Sequence, residues 1–123
     1  MAGLSPTQRT LKLLRDRGFT CAVTERWNPF AKIRQDLFGF IDIVALRGGK
    51  IIGVQCTSRD NISARSKKIQ DLVEAQDWSA AGGLIWIIGW GKVGARGERK
   101  KVQPRLVRLQ YDRGGWYADE LPL

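Results

Sequence analysis

The chain has 123 residues, enough for one hydrophobic core and too few for two independent ones. Hydrophobic residues make up 43% and charged residues 27%, which argues against disorder, collagen-like repeats and a coiled coil. Lys and Arg number 21 against 12 Asp and Glu, a net charge of +9 with no histidine; this predicts a polyanionic partner, nucleic acid foremost, and excludes Ser-His-Asp and Cys-His catalysis and His-ligated zinc.

The first residues, MAGLSPTQRTLKLL, have neither the charged start nor the apolar middle of a secretory signal. No apolar run approaches the roughly 18 residues of a membrane span, so the expectation is a soluble, cytoplasmic domain with no membrane partner. Ser5-Pro6 is a helix start, with Ser able to cap and Pro at the first helical position. Leu11 and Leu14 recur at helical spacing and Gly18 stops the run, which predicts a helix over residues 6 to 17.

Phe19 to Trp27 is β-rich and reads as one strand, ended by Asn28-Pro29. A polar, basic connection with Lys32 and Arg34 follows. From Phe38 to Thr57 two β-branched apolar runs flank Gly48-Gly49, the composition of a two-residue hairpin turn with positive φ at both positions. In that register Asp42 opposes Gln55 and Phe40 opposes Thr57, and period two puts Asp42, Gln55 and Thr57 on one face. A carboxylate among Ile41, Ile43, Val44 and Leu46 is costly unless paired, hydrogen-bonded or bound to a cation. Asp42 with Gln55 is therefore either a buried polar pair that fixes register or a metal or catalytic site.

Ile62, Ile69, Leu72, Val73 and Trp78 form an apolar stripe that predicts one helix from Asn61 to Trp78, with Asp60 as a cap. Arg65, Lys67 and Lys68 concentrate charge in its first half, as a solvated face or as contacts to a nucleic-acid backbone. Leu84 to Trp90 reads as a central strand. Residues 91–101, with Lys92, Arg96, Arg99, Lys100 and Lys101, read as a flexible basic loop with the same two readings. Val102 to Leu109 is a last strand, placed at an edge by Pro104, and residues 112–123 an irregular tail. Cys21 and Cys56 sit in apolar runs and read as buried thiols without zinc-ligand spacing. Trp27 or Trp90 is a candidate to stack on a base, with burial the plainer expectation for each.

The element order α-β-β-β-α-β-β is a mixed sheet with helices packed on it, a single α/β domain over residues 1–123. This order, with Asp42 before a hairpin and Gln55-x-Thr57 after it, resembles the PD-(D/E)XK nuclease superfamily, in particular its small Holliday-junction-resolvase-like members. The segment IRQDLFGFIDIVALRGGKIIGVQCTS is also similar to a subgroup of phage- and bacterial-type small proteins in which Gln-x-Thr-Ser replaces Glu-x-Lys. The resemblance covers roughly residues 5 to 90.

It implies a restriction-endonuclease-like αβββαβ core and a Mg²⁺- or Mn²⁺-dependent endonuclease acting on branched or duplex DNA as a homodimer. Carried over, the metal would be held by Asp42, Gln55 and the carbonyl of Cys56. Thr57 takes the place of the motif Lys, and Gln8 that of the first-helix Glu. A hard cation favours carboxylates, so Asp36 or Glu25 is expected to supply the missing acid, and Lys68 or Lys32 the missing amine. Thr57 and Ser58 are candidates to position a water or phosphate, and Arg34 and Asp36 form either a surface ion pair or part of the site. The alternative is a catalytically inactive nuclease-fold module that binds nucleic acid.

Overall fold

The computed structural model describes residues 3–123. Helix α1 (Pro6–Asp16) begins with a complete capping box, Ser5 Oγ accepting from Gln8 N–H at 3.2 Å and Gln8 Oε1 accepting from Ser5 N–H at 3.0 Å. Strand β1 (Thr20–Val23) follows, then two short strands, β2 (Arg26–Asn28) and β3 (Ile33–Gln35), paired only with each other. The segment read as one strand to Trp27 is thus broken after Val23, and the basic connection is the far half of a small hairpin. The break follows Thr24: its N–H keeps the register of β1 by donating to the carbonyl of Asp42, its hydroxyl donates to the Ile41 carbonyl, and from Glu25 the chain leaves the sheet edge.

Strands β4 (Ile43–Arg47) and β5 (Lys50–Ser58) form the expected hairpin. Gly48 and Gly49 have φ of +59° and +76°, the mirror-image turn that matches strand twist and that other residues resist. Beyond β5, a 3-10 turn at Arg59–Asn61 leads into α2 (Ile62–Gln70) and α3 (Val73–Ala80). The single predicted helix is two, because Leu72 is extended (φ −92°, ψ 123°) and the last N–H groups of α2 bond only three residues back. Asp60 lies in the 3-10 turn rather than at the cap, and Val73 is exposed rather than part of the apolar stripe.

Strands β6 (Leu84–Val93), β7 (Lys101–Asp112) and β8 (Gly115–Leu121) complete a six-stranded sheet of order β1-β4-β5-β6-β7-β8, in which only β5 and β6 run parallel. The segment expected to be an irregular tail over residues 112–123 thus holds an edge strand, Gly115–Leu121, joined to β7 through the positive-φ pair Arg113-Gly114. Strand β7 is internal, yet β8 covers it only from Leu106 onward, so Pro104 sits where one side of β7 is free of a neighbour. The missing N–H of Pro is tolerated at such a local edge.

Helix α1 packs through Leu14 on one face of the sheet, over Ile43, Ala45, Val54, Cys56 and Ile88. Helices α2 and α3 cover the other through Ile62, Ile69, Ala75, Ile85 and Ile87. This mixed α/β sandwich of three layers has two apolar cores, each too thin to stand alone. Gly53 marks a close approach between the layers, since a Cβ there would lie 2.8 Å from Ile41 Cδ1 and 3.3 Å from the Trp78 ring. Among the described residues no helix is long and apolar enough to cross a membrane.

Candidate metal centre

The β4–β5 ladder ends at Ile43↔Val54. One step further out, Asp42 N–H still donates to the Val54 carbonyl at 2.9 Å, and the Asp42 carbonyl accepts from Thr24 N–H at 2.8 Å. The backbone of Asp42 is thereby clamped between β5 and the end of β1. Before it the chain makes a tight turn through Phe38 and Gly39, both at positive φ. Phe40 lies in that turn, fully buried, and does not oppose Thr57 as the extended hairpin register required.

The Asp42 side chain is 3% exposed. Its Oδ2 accepts from Gln55 Nε2 at 2.7 Å and from Cys56 N–H at 2.8 Å. Two more acids join it: Glu25, Asp36 and Asp42 each place a carboxylate oxygen within 4.8 Å of the others. Glu25 immediately precedes β2 and Asp36 immediately follows β3, so the small hairpin carries both of its flanking carboxylates to the buried one. Gln55 Nε2 also reaches Asp36 Oδ2 at 3.4 Å. Arg34 approaches Glu25 at 3.7 Å, so of the two alternatives for Arg34 and Asp36 the ion pair is formed with Glu25 instead, and Asp36 joins the acid cluster.

Three acids with one peripheral guanidinium repel one another. Burial, reinforced by the hydrogen-bonded Asp36 and by the charges of Asp36 and Glu25, raises the Asp42 pKa from 3.8 to about 8, against the lowering effect of Cys56 N–H. The proton held there is the one a cation would displace. Gln55 is 2% exposed, and its Oε1 has no hydrogen-bond partner among the described residues. Half a turn of the terminal torsion exchanges amide nitrogen for oxygen, which would direct Oε1 at the carboxylates and add a fourth oxygen to the set. Oxygen donors of this kind suit a hard divalent ion such as Mg²⁺ or Mn²⁺.

Cys56 contributes through its backbone. Its thiol points into the α1 core, where burial pushes its pKa up to about 12 despite the hydroxyls of Thr10 and Thr7 beside it, so no thiolate forms near neutrality. In a strand the N–H and C=O of one residue face the same edge, and Cys56 N–H faces Asp42. The carbonyl therefore opens on the same gap, beyond the end of β4.

Thr57 is buried two residues on from Gln55, and half-buried Ser58 leads into the 3-10 turn. Gln8 is exposed, with its side chain engaged in the capping box. On α2, Ser66, Lys67 and Gln70 line a groove with Arg105, Asp119 and Glu120. Helical spacing puts Arg65 and exposed Lys68 round the helix from that groove, on the flank toward β5. Lys32 occupies the turn of the β2–β3 hairpin at φ +54°. Lys92 and Lys101 belong to strands rather than to a loop: β6 and β7 run on past the ends of β5 and β8 as a two-stranded ribbon, with Arg96, Arg99 and Lys100 exposed near its tip.

Reading the sequence missed Thr10, fully buried, whose hydroxyl accepts from Trp90 Nε1 at 2.9 Å and ties α1 to β6. A lone Thr on a helix carries no signal of this. Trp90 is thus held in the body of the protein, whereas Trp27 is 55% exposed. No protein-family model matches the chain, and no curated protein shows significant similarity to it.

Proposed function

We propose that this chain is an intracellular, divalent-metal-dependent DNA endonuclease of the PD-(D/E)XK type, selecting branched or junction DNA by its shape and acting as a homodimer. The observation that carries the reading is the convergence of Asp42, Asp36 and Glu25 around the buried Gln55 amide, whose Oε1 lacks a partner among the described residues. The αβββαβ frame that the resemblance implies is supported by α1, β1, β4, β5, α2 and β6, with β5 and β6 parallel and the β2–β3 hairpin inserted.

Asp42, Asp36 and Glu25 would hold Mg²⁺ or Mn²⁺, with the Gln55 oxygen and the Cys56 carbonyl completing the set. An ion bound there supplies Lewis-acid polarisation of a phosphoryl oxygen and a water of lowered pKa. Asp36 and Glu25 stand in for the acid that Gln55 replaces, which keeps the donor set anionic. Lys68 and Lys32 are the candidates for the amine that Thr57 replaces. The basic ribbon leaves the body at the end of β5 and β6 toward which Asp42 and Gln55 lie, and with the Arg65–Lys68 flank of α2 it would hold the phosphates on either side of the cut.

A second reading is a catalytically inactive nuclease-fold module that binds nucleic acid, favoured by Gln55 and Thr57 at the motif's Glu and Lys positions. Labelled four-way-junction, flap and linear DNA, incubated with wild type and Asp42→Ala in Mg²⁺, Mn²⁺ or EDTA, separate the two. Metal-dependent cutting that the variant loses is the expected result. Binding without cutting in any metal moves the assignment to the second reading, and absence of DNA binding overturns both.

A further inference from the structure

Among the described residues the β2–β3 hairpin has no partner in the main sheet, yet side-chain hydrogen bonds organise its turn. Asn28 Oδ1 accepts from the N–H groups of Phe30 and Ala31 at 3.0 and 3.1 Å, and Asn28 Nδ2 donates to Gln35 Oε1 at 3.2 Å. The turn so organised holds Phe30 97% exposed at its tip. Trp27, cross-strand from Arg34, is 55% exposed on the hairpin stem. Neither ring adds much to the core, so the hydrophobic effect of folding does not account for them.

We infer that this hairpin is a stacking finger: Phe30 takes the face of an unpaired base of a nucleic acid whose backbone crosses the Glu25–Asp36–Asp42 cluster. The inference rests on the nuclease-fold reading and deepens it by naming the feature of the DNA that is recognised. Residues 26–35 carry Arg26, Lys32 and Arg34 and no acid, so the hairpin that bears the rings is cationic. Aromatic faces for bases among cations for phosphates are what single-stranded nucleic acid binds. A second copy of the chain is the weaker occupant, because a two-fold contact would set these cations against their own images.

Distance supports the coupling to the acids. Five residues separate Glu25 from Phe30, at most about 16 Å of extended chain, or roughly five stacked nucleotides. An unpaired base held by Phe30 would therefore set which phosphate lies over the carboxylates. Unpaired bases occur at gaps and flaps, and at branch points opened on binding, and not in plain duplex.

The test uses the full chain in EDTA, so that binding is read without cutting. The probes are a duplex with a short single-stranded gap bearing 2-aminopurine and the same duplex fully paired. Wild type should prefer the gapped probe and quench its 2-aminopurine. Phe30→Ala, at a site exposed enough to leave folding alone, should lose about tenfold on the gapped probe and little on the duplex, and Phe30→Trp should restore the quench. Equal binding and quenching by wild type and Phe30→Ala overturns the finger while leaving the nuclease reading intact. Conversion of a dimer to monomer by Phe30→Ala, seen by sedimentation, overturns it in favour of a second copy, and no binding by wild type to either probe removes both readings.

Discussion

Asp42 and Gln55 are 13 residues apart in sequence and 2.7 Å apart in space, across the mouth of a hairpin whose ladder has already ended. Their contact is made by side chains, with Asp36 Oδ2 3.4 Å from the same amide nitrogen. A structural polar pair would satisfy both ends of the amide. Here the buried Oε1 has no partner among the described residues, and a buried acceptor without a partner costs about 1–3 kcal/mol.

The pH profile of stability should expose this arrangement. Asp42 titrates near 3.8 in the unfolded chain and near 8 in the folded one. Between those values the folded state binds more protons, so the contribution is full below about pH 4 and is lost as pH rises to about 8. The loss is at most roughly 1.4 kcal/mol per pH unit. Urea denaturation in EDTA at pH 5 to 8 should show declining stability for wild type and a flatter profile for Asp42→Asn, and a flat wild-type profile would contradict the assignment.

Metal ions should reverse that trend. A cation binding the folded chain alone at 100 times its Kd adds about 2.7 kcal/mol, a rise in melting temperature on the order of 10 °C. Because the Asp42 proton must leave, the rise with Mn²⁺ should be larger at pH 8 than at pH 6. Asp42→Asn should abolish it, and an equal rise in that variant would place the ion elsewhere.

Thr10→Val should destabilise the protein by about 1–3 kcal/mol, because the change keeps the volume and strands Trp90 Nε1 without its acceptor. Thr10→Ser keeps the oxygen and should recover most of the loss. Denaturant midpoints for the two variants measure the difference; equal midpoints would show that the Trp90 contact contributes nothing.

Gly53→Ala should cost about 1–3 kcal/mol through overpacking, since the new methyl would meet Ile41 at 2.8 and 2.9 Å with Trp78 behind it. Ile41 precedes Asp42, so strain there also reaches the acid cluster. Pairing Gly53→Ala with Ile41→Val should return part of the stability, and a wild-type midpoint for the single variant would refute the close contact.

Local chemistry made much of this chain legible. Ser5-Pro6 announced α1 because a cap and a first-turn proline act within four residues. Gly48-Gly49 announced the β4–β5 hairpin because only glycine adopts both positive-φ positions freely, and with the turn came the shared face of Asp42 and Gln55. The break between α2 and α3 was hidden, since Ile69, Leu72 and Trp78 keep helical spacing across a residue that packing draws into an extended conformation. Strand β8 was hidden too, because Gly115–Leu121 pair at an exposed edge where Trp116 and Leu121 are the half-buried apolar residues and Asp119 and Glu120 between them break any clear alternation.

The acids of the candidate centre divide along the same line. Asp42 stood out as a charge inside an apolar run, a local cost readable from its neighbours. Glu25 and Asp36 lie in polar surroundings that carry no such cost; the resemblance made both candidates, with Asp36 also favoured by its closeness in sequence to Asp42. Only the β2–β3 hairpin, which leaves the sheet at Thr24 and returns at Asp36, brings them within 4.8 Å of Asp42. Turns, caps and strand periodicity depend on residues a few positions apart and so can be read along the chain; the meeting of three carboxylates depends on where the chain leaves and re-enters the sheet, which long-range packing decides.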